Sequence, residues 1–495
     1  MLQGWRADGA ALLLGLLSAA SLPPLHVVPV LWVGIPGLLV LLDGTRSVRQ
    51  AARRGWWFGF GFHLAGLYWI TEAILIEAAR FWWFVPLAVP ALSAVLALFI
   101  ALAAGLARRA PPGWGRIFVL AGGWVLADMA RQYVATGFPW NPLGSVWAIP
   151  GPVGDVMLQP AAWIGGPGLT LLTLLLAAAP CFGRAGRIGC ALLLAGWVIL
   201  GWTRLQDTPE TVGPSKVVLV QGDVAQGQKW DRALAVSVFE RYLALTRQGA
   251  AEAGADLAAV IWPETASPFL LEQDVAARAE IARMARGVPA LVGSVRFDPS
   301  DRPRNSLVVI EPDGSIGGIY DKWHLVPFGE FQPSWFPLPI QVVPGGGFSG
   351  GPGPQTLHIP GLAAAGPLIC YEAVYPGEMV DEADRPAWLV NITNDAWFGY
   401  TAGPRQHLAA ARMRAVEEGL PLLRAANTGI TAGFDALGRE LGRLPMGTPG
   451  YLVVKLPSPL PPTPFGRWRL LIPFVISAGI LAAGLASCYR PVTRF

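Results

Sequence analysis

Apolar positions follow two different patterns along this chain, and the change falls near residue 205. Before it they come in long blocks. Residues 9–42 contain no Asp, Glu, Lys or Arg. At a helical rise of about 1.5 Å per residue, that block is too long for one bilayer crossing and just enough for two short ones. Pro23-Pro24 supplies the break, because proline cannot continue a helix. Spans are therefore predicted at 9–23 and 25–42. Further blocks at 55–73, 81–107, 117–134, 156–182, 188–204 and 470–489 bring the expectation to eight. The first block also reads as a signal peptide, since Ser18-Ala-Ala-Ser21 offers small residues at its end.

From Lys216 onward the apolar runs shorten to Val217–Val220, 258–262, 290–295, 306–310, 362–369, 387–392, 421–425 and 451–454. Each is bounded by Gly, Pro, Asn or Asp, the pattern of buried strands. Between several of them lie helical faces: Leu234, Val238, Tyr242 and Leu245; Ile281 and Met284 within 272–286; Leu408, Met413 and Val416 within 404–419. Strands alternating with helices, followed by a run of strands, predict a layered α/β domain. The organisation expected is a transmembrane domain over 1–204, a folded catalytic domain over 205–468, and a last span with a short tail over 469–495.

Composition agrees with this division. Of the residues, 53% are hydrophobic and 14% charged, against about 25% charged in soluble proteins. The loops that share a side with the N-terminus carry Arg46, Arg49, Arg53 and Arg54, then Arg108, Arg109 and Arg116, then Arg184 and Arg187, then Arg490 and Arg494. The opposite loops carry Arg80 and Arg131, with Arg204, Arg467 and Arg469 at the membrane edge. Positive residues favour the cytoplasm. The 205–468 domain is thus expected outside, on the periplasmic face of a bacterial inner membrane. Glu72, Glu77 and Asp128 fall near the outer span ends, either exposed at the interface or bordering a substrate entry. Gly137-Phe-Pro-Trp-Asn-Pro-Leu-Gly144 reads as an aromatic anchor at headgroup depth. A net charge of +4, dispersed over those short loops, gives no basic patch for nucleic acid. Four cysteines without regular spacing exclude a disulfide framework, and five scattered histidines make a metal site unexpected.

Three candidate chemical groups sit at strand ends. Cys370 closes the run 362–369, Glu264 follows Val260-Ile-Trp262, and Lys322 follows Ile319-Tyr320. Functional groups collect at strand ends in layered α/β sheets. A thiol is mostly protonated at neutral pH and needs a base. A glutamate with its pKa raised by burial can take that proton, and a lysine can stabilise first a thiolate and then an oxyanion, with the backbone N–H of Tyr371 as a second donor. A covalent thioester and a two-step transfer would follow. His324 and His407 leave open a Cys–His dyad, which ranks behind.

The stretches Trp262-Pro-Glu264, Asp321-Lys322-Trp-His-Leu-Val-Pro-Phe-Gly-Glu330 and Ile369-Cys370-Tyr371-Glu372 resemble the nitrilase superfamily over about Lys216 to Leu456. With the spans, and with Val220-Gln-Gly-Asp223, Lys229-Trp230-Asp231, Asn394-Asp-Ala-Trp-Phe-Gly399, Arg424-Ala-Ala-Asn-Thr-Gly-Ile430 and Gly137-Phe-Pro-Trp140, the whole chain resembles the apolipoprotein N-acyltransferase family. The resemblance implies a four-layer αββα sandwich with Glu264 as base, Lys322 as oxyanion stabiliser and Cys370 as nucleophile. It implies supporting roles for Glu330, Tyr371 and Glu372, with Trp230 at the mouth of the pocket and Asn305 a weaker match. It further implies a phospholipid acyl donor, a diacylated apolipoprotein acceptor, no cofactor, and a monomer. Trp230, Trp323 and Phe328 would shield the thioester from water. The competing expectations are a membrane-anchored amidase that uses the same residues to hydrolyse small amides, and a non-enzymatic lipoprotein-binding module.

Overall fold

Short apolar runs bounded by turn residues build most of the eleven strands among the described residues. The computed structural model describes residues 3–76, 78–208, 212–229, 231–335 and 347–487. Glu77, Trp230, Cys488, Arg490 and Arg494 lie outside them. The chain divides into two units, one of residues 1–207 with 463–495 and one of residues 208–462.

In the second unit the strands are β1 (Val212–Gln221), β2 (Leu257–Ile261), β3 (Ala290–Phe297), β4 (Pro303–Ile310), β5 (Ile316–Asp321), β6 (Ala365–Ile369), β7 (Trp388–Thr393), β8 (Leu422–Ala426), β9 (Thr431–Phe434), β10 (Glu440–Leu444) and β11 (Gly450–Pro457). They form a six-stranded sheet ordered β11-β1-β2-β3-β4-β5 and a five-stranded sheet ordered β10-β9-β8-β7-β6. Strands β1–β2–β3 and β6–β7–β8 run parallel to their neighbours within each trio, and the remaining pairs run antiparallel. Parallel strands buried on both faces need continuous apolar runs, which is what Val217–Val220 and Trp388–Val390 supply.

Alternate residues of each sheet fill two layers. Val217, Leu219, Ile261 and Leu291 meet Ile369, Trp388, Val390 and Leu423 between the sheets. Val218, Val220, Val260 and Trp262 point the other way, onto Val238, Tyr242 and Ile281 of the helices Ala235–Ala253 and Val275–Met284. The helix Gly403–Glu418 covers the second sheet and is buried along most of its length. The result is the expected four-layer αββα sandwich. The predicted runs leave out β5, β9 and β10, whose short stretches carry Gly, Thr or Arg, and start β6 three residues early, where Pro360 to Leu362 turn.

In the first unit, helices occupy each predicted block, including Gly4–Ser18, Leu31–Asp43, Val48–Gly66, Val85–Ala107, Trp114–Arg131, Ala161–Ala178, Gly183–Asp207 and Leu471–Ala486. By length and composition two stretches, Trp82–Ala107 and Ala161–Asp207, are sufficient to cross a membrane; Val28–Asp43 and Leu471–Ala486 are shorter apolar helices. Small residues let these helices approach: a Cβ on Gly122 would strike Ser477 O of the last helix. Trp140 is buried and packs on Trp69 at 4.7 Å between ring centroids. The aromatic loop is therefore folded into its unit rather than projecting as an anchor. Asp128 pairs with Arg131 at 3.3 Å.

Candidate active site

Cys370 sits where β6 breaks into a short 3₁₀ turn, Cys370–Val374. Its backbone takes the left-handed region, φ 52°, which an L-residue adopts at a cost of about 1–2 kcal/mol unless its surroundings hold it there. The turn is closed by Glu372. Its Oε2 accepts from Ile369 N at 2.6 Å, and its Oε1 accepts from Trp323 N at 2.8 Å. The Tyr320 hydroxyl donates to both oxygens, at 2.9 and 3.0 Å. One buried carboxylate thus ties the cysteine turn to the loop that carries Lys322.

Glu264 leaves the end of β2 through Trp262-Pro263. Trp262 is wholly buried on the helix side, stacked on Tyr242, with its indole N–H donating to Thr246 at 2.8 Å. The turn at Glu264 lies directly on β3: a Cβ on Gly293 would strike Pro263 O and Thr265 N, so only glycine fits there. Glu264 then turns inward. Its Oε1 accepts from Lys322 Nζ at 3.2 Å and from Asn305 Nδ2 at 2.7 Å, and its Oε2 accepts from Asn394 N at 2.8 Å. Lys322 is fixed through its own backbone, N–H to Asn305 O and C=O from Gly351 N, both at 2.8 Å. Its ammonium also meets Glu330 Oε2 at 2.8 Å, and Asn305 Nδ2 donates to Glu330 at 3.0 Å. Asn305 Oδ1 is buried and has no hydrogen-bond partner among the described residues.

Burial lifts the Cys370 thiol well above its ordinary pKa, with Glu264 and Asp395 adding to that and Lys322 opposing it. Burial works against the charge on Lys322, yet the carboxylates of Glu264 and Glu330 hold that ammonium above its usual range. Burial would raise Glu264 too, but Lys322, Lys229 and the Asn305 amide outweigh it, and the carboxyl titrates below its ordinary value. This corrects the expectation of a raised glutamate. At rest the site holds a neutral thiol, an ionised base and a charged lysine. Burial pushes Glu372 up to about 7 while its backbone donors pull it back.

The structure thus brings Glu264, Lys322, Glu330, Cys370 and Glu372 into one buried cluster. Tyr371 is also buried, with its ring 5.3 Å from Tyr375. Trp230 lies outside the described residues. His324 turns to Glu378, 2.9 Å away, and stacks on Tyr375. The motif Lys229-Trp230-Asp231 gives no sign in sequence of a role for its lysine. Lys229 is buried, donates to the Glu264 carbonyl at 2.8 Å, and is drawn down to about 8 by burial against the pull of Glu264 and Cys370. His407, expected only as a member of a lower-ranked Cys–His dyad, meets the Cys370 main-chain oxygen rather than its sulfur. Cys370, Asp395 and His407 present three donor atoms within 4.8 Å of one another. Both ring nitrogens and both carboxylate oxygens already have partners, among them the Arg424 guanidinium on Asp395, so the set suits a protein network better than a cation.

A two-sheet sandwich with a carboxylate, a lysine and a thiol at its strand ends defines the nitrilase, or carbon–nitrogen hydrolase, class, and the carbon–nitrogen hydrolase model matches residues 216–460. The apolipoprotein N-acyltransferase N-terminal domain model matches residues 14–179. The apolipoprotein N-acyltransferase of Rhodopseudomonas palustris is 39% identical over 94% of this chain and 92% of its own length. Those of Bradyrhizobium diazoefficiens and Brucella suis are each 40% identical, over 94% and 93% of this chain and 92% of their own lengths. The chain belongs to the apolipoprotein N-acyltransferase family. Among solved structures, an amidase from Nesterenkonia sp. is 21% identical with a TM-score of 0.38, covering 50% of this chain and 92% of its own.

Proposed function

We propose that the chain transfers a fatty acyl group from a phospholipid, through a thioester on Cys370, to the α-amine of a diacylglyceryl-modified N-terminal cysteine of an apolipoprotein. The observation that carries this reading is the buried cluster of Glu264, Lys322 and Cys370 in a chain similar over nearly its full length to N-acyltransferases. In the first step Cys370 Sγ attacks the ester carbonyl while its proton passes to Glu264. Lys322 faces the oxyanion. The ester C–O bond breaks, and Glu264 returns the proton to the departing lysophospholipid oxygen. In the second step the free amine attacks the thioester, Glu264 takes a proton from nitrogen, the C–S bond breaks, and Glu264 passes that proton to the departing sulfur, restoring the thiol. A neutral thiol beside an ionised carboxylate is the starting state such general-base catalysis requires. Glu330 and Glu372 hold the lysine and the cysteine turn, and one pocket serves both substrates in turn. A single chain supplies every group, so a monomer suffices.

The apolar blocks and the arginine bias support eight crossings with residues 205–468 on the periplasmic side. Cysteine replacements at Arg46 and Asp301 in a chain otherwise free of cysteine separate the two sides: an impermeant maleimide applied to intact spheroplasts labels position 301 and spares position 46. The opposite labelling would reverse the topology.

The decisive test incubates the purified protein with a phospholipid of defined chains. Intact mass should rise by one acyl group on Cys370, and added diacylated lipopeptide should discharge it. Ammonia released from small amides with no acyl adduct would replace this reading with the amidase one, which similarity to acyltransferases over both units disfavours.

A further inference from the structure

The helix Gly403–Glu418 is buried on most sides, yet it is polar, and its side chains pair with the segments around it: Arg405 with Thr401 O, Arg412 with Gly438 O and Glu418 with Arg385. One side chain reaches the site. His407 Nε2 lies 2.9 Å from the main-chain oxygen of Cys370. Its Nδ1 lies 2.9 Å from Asp395 Oδ1 and 3.2 Å from Arg424 Nη2. Arg424 Nη2 donates to Asp395 Oδ2 at 2.7 Å, its Nη1 donates at 2.5 Å to Asn391 Oδ1, and Thr393 donates to Asp395 Oδ1 at 3.0 Å. The side chains of His407, Asp395 and Arg424 are fully buried. The chain of contacts runs from the central strands β7 and β8, through a helix, to the one residue of the site whose thiol must be aimed.

We propose that His407 is a positioning residue for the acyl transfer: its Nε2–H fixes the carbonyl of Cys370, holds that residue in its left-handed conformation, and so sets the direction of Sγ toward the ester carbonyl. The Asp395–Arg424 pair orients the ring. Burial and the Arg424 guanidinium keep the His407 pKa below its ordinary value, against Asp395. Cys370 O can only accept, so the contact requires a hydrogen on Nε2, while Nδ1 faces the Asp395 carboxylate at hydrogen-bond distance. The residue moves no proton in the reaction. It acts on the angle of attack, where a displacement of about 1 Å costs about a hundredfold in rate.

This inference rests on Cys370 being the acylated group. The experiment compares His407→Gln, whose amide nitrogen reaches as far as Nε2, with His407→Asn, which falls short by one methylene. Three quantities are read per mole of folded protein: the rate of acyl-Cys370 formation from phospholipid, the lipid concentration at half-maximal rate, and the pH profile. The Gln variant should stay within about threefold of wild type. The Asn variant should lose about tenfold to a hundredfold in rate with half-saturation unchanged, and the acid limb of the profile should not move in either. Equal rates in all three proteins would overturn the positioning role. A shifted acid limb would overturn it in favour of a proton-transfer role, and loss of folded Gln variant would assign His407 to the fold alone. Absence of any acyl adduct in wild type would instead overturn the thioester reading beneath it.

Discussion

Lys322 approaches Glu330 more closely than it approaches the base: Nζ lies 2.8 Å from Glu330 Oε2 and 2.9 Å from its Oε1, against 3.2 Å from Glu264 Oε1. The ammonium is shared, with Glu330 taking the nearer part. Replacing Glu330 by Gln removes a negative charge and leaves Lys322 bearing on Glu264 alone. The Glu264 pKa then falls further, since an opposite charge favours the ionised form. The acid limb of acyl-Cys370 formation should move to lower pH, and the plateau should drop by about tenfold to a hundredfold because a weaker base takes the thiol proton less readily. A pH–rate profile of the Glu330→Gln protein checks this. An acid limb displaced upward would contradict it.

Lys229 trades stability for charge. Its amine is buried and titrates at about 8 in the folded chain, below its ordinary value of 10.5, with burial as the largest cause. Below pH 8 the folded state must bury a cation that the unfolded chain keeps in water, so the destabilising contribution is fully present there. It is relieved as pH rises through 8 toward 10.5, where the unfolded chain binds the extra proton. Lys229→Met should therefore raise the melting temperature at pH 7, and the gain should shrink between pH 8 and 10. The same variant should acylate Cys370 more slowly, because a cation acting on both Glu264 and the thiol is gone. A stability gain that grows with pH would be the wrong sign.

The sandwich could be read from the chain because its central strands announce themselves as uninterrupted apolar runs, and Glu264, Lys322 and Cys370 because each ends one of them or follows β5. What escaped sequence reading has a common physical cause. Asp395, His407 and Arg424 are far apart along the chain and polar, and only burial against one another makes them a unit. A helix such as Gly403–Glu418 looks amphipathic when Leu408, Met413 and Val416 are counted, and nothing in that periodicity reveals that its polar side is also covered. The lowered pKa of Glu264 was equally hidden. Burial alone raises a carboxyl, and the reversal depends on Lys229 and Lys322 arriving from separate loops.

Glu372 accepts hydrogen bonds from Ile369 N at the end of β6 and from Trp323 N in the loop after β5. A glutamine there must turn its amide N–H₂ toward one of those N–H groups, leaving a buried donor unpaired. Such a loss costs about 1–3 kcal/mol. Glu372→Gln should lower the melting temperature and slow thioester formation together, because the cysteine turn and the lysine loop lose their common tie. Thermal unfolding and adduct formation on one preparation test this, and an unchanged melting temperature would show that the tie is dispensable.

The resting thiol itself gives a further prediction. Burial and the neighbouring carboxylates of Glu264 and Asp395 hold the Cys370 proton on sulfur, and Lys322 only partly offsets them. A Cys–His ion pair would behave oppositely, with a thiolate already present near neutrality. Alkylation of Cys370 by a small neutral reagent should be slow at pH 7 and climb steadily through pH 9, with no inflection between 5 and 8. Glu264→Gln removes the largest electrostatic contribution to that raised pKa, so the curve should move to lower pH and bare alkylation at pH 8 should become faster. Enzymatic acylation by phospholipid should nevertheless fall by about a hundredfold to ten-thousandfold, because the base that accepts the proton during attack is lost. Opposite responses of alkylation and acylation to one substitution separate the charge of Glu264 from its role as a base. If both rates fell together in Glu264→Gln, the carboxylate would be serving to hold the thiol in place.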